Sequence, residues 1–114
     1  MNFIKSGMNK SDKLRLRLRL VEQRGFTCEA CGRSLSSFHL HHGLIGDKKA
    51  LKDVLFCEEN LFIVDPDCNV SRVLDNQEQR VKFWLLQVER YGLPRMLAWL
   101  DRVNEGLIVP YRFP

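Results

Sequence analysis

The sequence reads as a single small α+β domain. It has a basic N-terminal helix, a cysteine knuckle, two short strands joined by a long irregular loop, and a closing helical hairpin. Residues 13–24 form a leucine- and arginine-rich run that stops at Gly25. The apolar segments 38–42 and 60–64 are too short for helices and are bounded by Gly43 and Pro66. Beyond position 75, two stretches with helical apolar spacing are separated by Gly92 and Pro94. A chain of 114 residues holds one domain, and 45% apolar residues suffice for a core. That core is modest, so a metal staple would add to it.

Residues 1–12 read as a flexible tail. The run K-L-R-L-R-L-R-L-V-E-Q-R at 13–24 alternates strictly from Leu14 to Leu20, which is a strand-like period. Leu14, Leu18 and Val21 nevertheless fall at i, i+4 and i+7, and Leu and Arg favour helix. A helix is expected here, capped by Ser11 or Asp12, with Arg15 and Arg19 one turn apart on a shared face. F-T-C-E-A-C-G-R at 26–33 reads as a tight knuckle. Strand 38–42 carries Phe38 and Leu40 on one face, Gly43 and Gly46 open the loop, and strand 60–64 ends at Pro66.

A short helix is expected over 70–74. Asp75-Asn-Gln-Glu78 resembles a capping box for a helix running to Tyr91, with Val81, Trp84, Leu85, Val88 and Tyr91 inward. Pro94 opens a second helix with Leu97, Leu100 and Val103 inward, closed by Gly106. The apolar tail 107–114 should pack back on the body. Residues 13–75 thus form the core unit, and 76–114 support it. Trp84 and Trp99 are expected in the core rather than as base-stacking platforms.

The formal net charge of +4 is unevenly spread. Residues 1–24 hold seven Lys or Arg (Lys5, Lys10, Lys13, Arg15, Arg17, Arg19, Arg24) against Asp12 and Glu22, leaving the rest of the chain near −1. A basic end on a near-neutral body is the footprint of a polyanion binder; a solvated tail explains it equally well. No apolar run is long enough to span a bilayer, and residues 1–10 lack the apolar segment of a signal peptide. An intracellular, cytoplasmic protein with no membrane partner is expected.

Four cysteines in such a chain argue for metal or reactive thiols over disulfides. Cys28-x-x-Cys31 supplies two thiolates from one turn, half of a structural zinc site, and no βαβ pattern surrounds it to suggest a redox dithiol. Cys68 is the natural third ligand. For the fourth, Asp65 stands three positions before Cys68, where a second C-x-x-C would begin, and Cys57 is the rival. Cys57 also fits a small buried apolar position. His41 and His42 stand at a strand end, where one imidazole suits a metal and the other a general base.

Taken in order, C-x-x-C, L-H-H-G-L-I, E-E-N-L-F-I-V and D-x-x-C-N resemble the HNH (ββα-metal) endonucleases. The likeness is strongest to the zinc-stapled subgroup that includes phage recombination endonuclease VII. It covers about residues 13–75. It implies an open β-hairpin followed by a helix clasping one catalytic divalent ion, Mg²⁺ or Mn²⁺, beside a structural Zn²⁺. By resemblance, His41 binds the catalytic ion, His42 is the general base, Asn60 ties the long loop and holds the base, and Asn69 is the second ligand of the ion. An amide oxygen suits such hard ions. The sequence departs from the pattern at Asp65, where a cysteine is expected.

The implied activity is hydrolysis of DNA phosphodiester bonds, in duplex or branched substrates, in the host cytoplasm for a phage-like enzyme. A monomer would nick, and a homodimer could use helices 76–91 and 94–104 as its face. Arg15, Arg17, Arg19, Lys48, Lys49, Lys52 and Arg72 are the expected DNA contacts. His39 is expected to be a surface strand residue with no role. The rival reading is a non-catalytic zinc-ribbon module that binds nucleic acid, which accounts for the cysteines and the basic end but gives His41, His42 and Asn60 nothing to do. A small protein-interaction domain is a third reading, and it predicts no DNA retention at low salt.

Overall fold

The computed structural model describes residues 9–46, 48, 51–70, 74 and 76–113, the side chains of 52, 53 and 70 aside. Helix α1 is Lys10–Arg24, strand β1 His39–His42, helix α2 Lys52–Leu55 and strand β2 Leu61–Val64. Helices α3 (Pro66–Val70), α4 (Gln77–Tyr91) and α5 (Leu93–Asn104) complete the chain. The result is a small α+β domain whose two strands pair antiparallel, with His39 opposite Val64, Leu40 opposite Ile63, His41 opposite Phe62 and His42 opposite Leu61. No helix among the described residues is long and apolar enough to cross a membrane.

Because β2 is buried at all four positions, the hairpin has a core on each side. Leu61 and Ile63 pack with Leu16 and Leu20 of α1, joined by Leu40 and Phe56. Phe62 and Val64 face the larger core of Phe83, Trp84, Met96, Trp99 and their neighbours. Strand alternation sends successive residues to opposite sides, so His39 and His41 go with Phe62 and Val64, while Leu40 and His42 go with Leu61 and Ile63.

Helix α1 begins earlier than expected, inside the segment read as tail, and its cap is Asn9, whose Oδ1 accepts from the Asp12 N–H at 2.9 Å. Its inward face is not the stripe of Leu14 and Leu18. Leu16 and Leu20 are buried, whereas Leu14 and Leu18 are 55% and 61% exposed. Alternating leucines offer two equivalent helical stripes, and Arg24 selects between them. It continues the 16–20 stripe by one turn, and its guanidinium, 3% exposed, closes the space between helix and hairpin. It pairs with Glu29 at 2.9 Å and donates to Leu61 O, Glu58 O and Tyr91 Oη at 2.7, 3.0 and 2.8 Å. Glu29 also meets Arg90 at 2.6 Å and accepts from the Ile63 N–H. Such a buried pair is costly to break by removing one member.

Helix α3 starts at Pro66, ahead of the expected 70–74, because Asp65 Oδ1 accepts from the Asp67 N–H and proline suits the first helical turn. Cys68 and Asn69 therefore lie on the helix instead of before it. Helix α4 is capped by Asn76, which accepts from the Gln79 N–H at 2.7 Å; the expected cap, Asp75, lies outside the described residues. Its buried residues are Phe83, Trp84 and Gln87, and Leu85 is exposed. Phe83 stacks on Phe62 at 4.0 Å, and Gln87 Nε2 donates to the carbonyls of Glu58 and Glu59, so this face is fixed by the hairpin's own edge.

On α5 the inward set is Met96, Trp99, Leu100 and Val103, and Leu97 points out. Both tryptophans are core residues, as expected. The tail returns through Phe113, stacked on Trp84 at 4.8 Å, while Ile108 and Val109 remain exposed.

Candidate functional site

The knuckle 26–35 is closed by a bridge between Thr27 and Ser34 and by Cys28 N–H to Arg33 O. Gly32, at φ 79°, supplies the left-handed turn after Cys31. This geometry aims backbone N–H groups at sulfur, and Cys28 Sγ accepts from Cys31 N at 3.5 Å and Asp65 N at 3.2 Å. Helix α3 brings Cys68 Sγ to 4.0 Å from Cys28 Sγ. The three sulfurs of Cys28, Cys31 and Cys68 lie within 4.8 Å of one another, a group that could hold a metal ion. Around zinc, with bonds of about 2.3 Å, sulfurs sit roughly 3.8 Å apart, so the spacing fits.

The thiols fit as well. Burial disfavours a thiolate at Cys28, yet the N–H bonds from Asp65, Cys31 and Ala30 outweigh it and hold its pKa below the ordinary value. Cys68 is pushed up to about 12 by burial and by the neighbouring cysteines. The thiolate is thus favoured at Cys28 and disfavoured at Cys68, a conflict that a bound cation would resolve.

Neither expected fourth ligand joins the group. Asp65 spends its carboxylate on the α3 cap, and its other oxygen is 3.8 Å from Arg33. Cys57 points its sulfur at Val54 O, 3.1 Å away. Burial and the Glu59 charge push the thiol of this half-buried residue up to about 12.

Next to Cys68 on α3, Asn69 turns its carboxamide towards β1. Its Oδ1 lies 3.1 Å from His41 Nδ1, and its Nδ2 lies 3.1 Å from His39 Nδ1. The first contact is a hydrogen bond when His41 carries its proton on Nδ1. With the proton on Nε2, the same two atoms present lone pairs at the roughly 3 Å separation of adjacent ligands around Mg²⁺. Two residues 28 positions apart thus meet, an amide oxygen of the kind hard ions favour beside an imidazole nitrogen that also serves softer ones. His41 also packs near Phe83, at 5.9 Å between ring centroids.

Asn60 is fully buried and uses its whole hydrogen-bonding capacity. Oδ1 accepts from Leu44 N and Ile45 N, and Nδ2 donates to Ile45 O and Leu55 O, all at 2.9–3.0 Å. Its carbonyl accepts from Gly43 N at 2.9 Å. Both ends of the loop between the strands are fastened by this one side chain, next to His42. Gly43 must be glycine here: a Cβ would come within 2.4 Å of Phe62 and 2.7 Å of Phe83.

His42 alternates to the α1 side of the hairpin, 6.1 Å from the Phe56 ring. Cations of α1 share that side: Lys13 Nζ is 5.3 Å from the Phe56 ring centroid, and the Arg17 guanidinium is 4.4 Å from that of Phe38. Of the other expected DNA contacts, Arg15 is outward near Asp12, and Arg19 is paired with Glu58 at 3.2 Å. Lys48 is exposed. Lys49 and Arg72 lie outside the described residues, as does the side chain of Lys52.

His39 is exposed, as expected, but its i, i+2 spacing from His41 puts both on one strand face, a signal from which its contact with Asn69 was readable. Comparison with known protein families, with curated proteins and with solved structures finds no match to this chain.

Proposed function

We propose that this chain is a metal-dependent DNA endonuclease of the HNH type, hydrolysing phosphodiester bonds with one catalytic ion and a histidine base. The observation that carries the reading is the meeting of His41 Nδ1 and Asn69 Oδ1 at 3.1 Å, from a strand and the helix that follows the hairpin. Strand, strand and short helix occur in the order the resemblance requires, with Asn60 fastening the loop between.

His41 and Asn69 would hold Mg²⁺ or Mn²⁺, and the sulfurs of Cys28, Cys31 and Cys68 a structural zinc. When bound, the hard ion supplies electrostatic stabilisation for charge developing on the phosphoryl and leaving oxygens. His42 takes a proton from water at a ring nitrogen. The water oxygen bonds to phosphorus, and the bond to the 3′ oxygen breaks. That oxygen leaves in line and takes a proton from solvent, giving 5′-phosphate and 3′-hydroxyl ends. Because His41 and His42 look to opposite sides of β1, the phosphate must sit at the strand end. There His42 approaches from the α1 side and the His41–Asn69 pair from the α3 side. Asn60 positions His42 through Gly43, and Lys13 and Arg17 attract backbone phosphates on the same side, so affinity should fall steeply with salt.

The test is nicking of supercoiled and branched DNA in Mg²⁺ or Mn²⁺, with and without EDTA. His42→Ala should slow cleavage by about 10²–10⁴-fold with fold and DNA retention intact. Unchanged nicking by that variant overturns the base assignment. DNA retention at low salt with no EDTA-sensitive nicking by the unsubstituted protein points instead to the zinc-stapled binding module, which the clustered sulfurs favour.

A further inference from the structure

Asn69 ends in a planar group with two unlike atoms, and only the oxygen can ligate a cation. Which atom faces His41 therefore decides whether His41 and Asn69 can share an ion. A half-turn of the carboxamide would present Nδ2 to His41 and abolish the site with no backbone movement. The far side of the amide bears on that choice independently of His41, for there Nδ2 lies 3.1 Å from His39 Nδ1. An amide nitrogen only donates, so this contact requires a lone pair on His39 Nδ1, with the ring proton on Nε2. With His39 accepting, the oxygen is left facing His41 at 3.1 Å.

We infer that His39 is a positioning residue of the cation site: it locks the Asn69 carboxamide with its oxygen toward His41. The inference rests on the proposed His41–Asn69 pair and extends it to a residue that no sequence motif marks. His39 reaches Asn69 because β1 alternation puts positions 39 and 41 on one face and α3 lays Asn69 between them. The ring of His39 is exposed, so its replacement leaves both cores untouched. Partners that orient a ligand in this way are worth about 10- to 100-fold in metal affinity.

The experiment is Mn²⁺ titration of the full chain, followed by the paramagnetic resonance of free Mn²⁺, with thermal melts as a check on folding. His39→Leu, which has no acceptor, should weaken Mn²⁺ binding about tenfold, and His39→Gln, whose side-chain oxygen can accept from Nδ2, should recover most of it. In an Asn69→Ala background His39→Leu should cost nothing further, which a merely structural role would not predict. In the metal-free protein, the Asn69 side-chain amide protons should lose exchange protection in His39→Leu and keep it in His39→Gln. If His39→Leu binds Mn²⁺ like the unsubstituted protein while His41→Ala and Asn69→Ala lose it, the inference falls and the underlying pair stands. If His41→Ala and Asn69→Ala keep Mn²⁺ affinity, or the unsubstituted protein shows no saturable binding, the underlying pair falls and takes the inference with it.

Discussion

Asn60→Ala tests how firmly the loop between the strands is tied. The substitution strips partners from Leu44 N, Ile45 N, Ile45 O and Leu55 O around a side chain with no exposed surface. A buried backbone group left unpaired costs about 1–3 kcal/mol, and some of the four will find water as the loop loosens, so a loss of about 3 kcal/mol is expected. With a urea slope of about 1.5 kcal/mol per M for a domain of this size, the unfolding midpoint should fall by about 2 M.

Asn60→Asp sharpens the test. It keeps an oxygen for Leu44 N and Ile45 N but turns a second oxygen on the carbonyls of Ile45 and Leu55, each 3.0 Å from the present nitrogen. At neutral pH it should be at least as damaging as alanine. Protonating that carboxyl restores one donor, so the folded state favours the protonated form and the folded pKa rises above its unfolded value near 3.9. Stability relative to the unsubstituted protein should then increase as pH falls through the raised pKa, because the folded state binds more protons. A midpoint for Asn60→Ala within about 0.3 M of the parent, or an Asn60→Asp deficit that grows in acid, would refute the assignment of this side chain as the loop's fastener.

Two further outcomes follow from the cysteines. Asp65→Cys gives up the α3 cap and should lower metal-free stability by about 1 kcal/mol while tightening zinc binding, measured by competition with a chromogenic chelator; unchanged or weaker zinc affinity contradicts the placing of position 65 beside the three sulfurs. Burial and the Glu59 charge raise the Cys57 thiol from an ordinary 9.0 to about 12, so the folded state keeps a proton that the unfolded chain loses. The associated stability is present below pH 9 and drains away between there and about 12; Cys57→Val should flatten that alkaline decline in urea melts, and an unaltered pH profile would contradict it.

Local signals were legible where one physical cause dominates. The leucine- and arginine-rich run, with Gly25 at its end, announced α1, and the apolar periods beyond 75 announced α4 and α5. Which face of α1 turned inward was not legible, because leucine at every second position offers two stripes and the deciding group, Arg24, acts through partners 34 to 67 positions away. The start of α3 was readable in principle: an aspartate directly before proline is a helix-opening pair, and reading Asp65 as a ligand obscured it. The approach of His41 to Asn69 followed the order of motifs along the chain. The place of His42 across the hairpin, and the contact of His39, depended on strand alternation applied residue by residue.

Parity along β1 leaves the hairpin no slack. Odd positions serve the α3 flank and even positions the α1 flank, and β2 is enclosed on both. A slip of one residue between the strands would send both odd-numbered imidazoles to α1 and carry Leu40 and His42 against the stacked phenylalanines. No one-residue slip satisfies either flank, so the pairing that shelters the interior also sets the address of every imidazole on the strand.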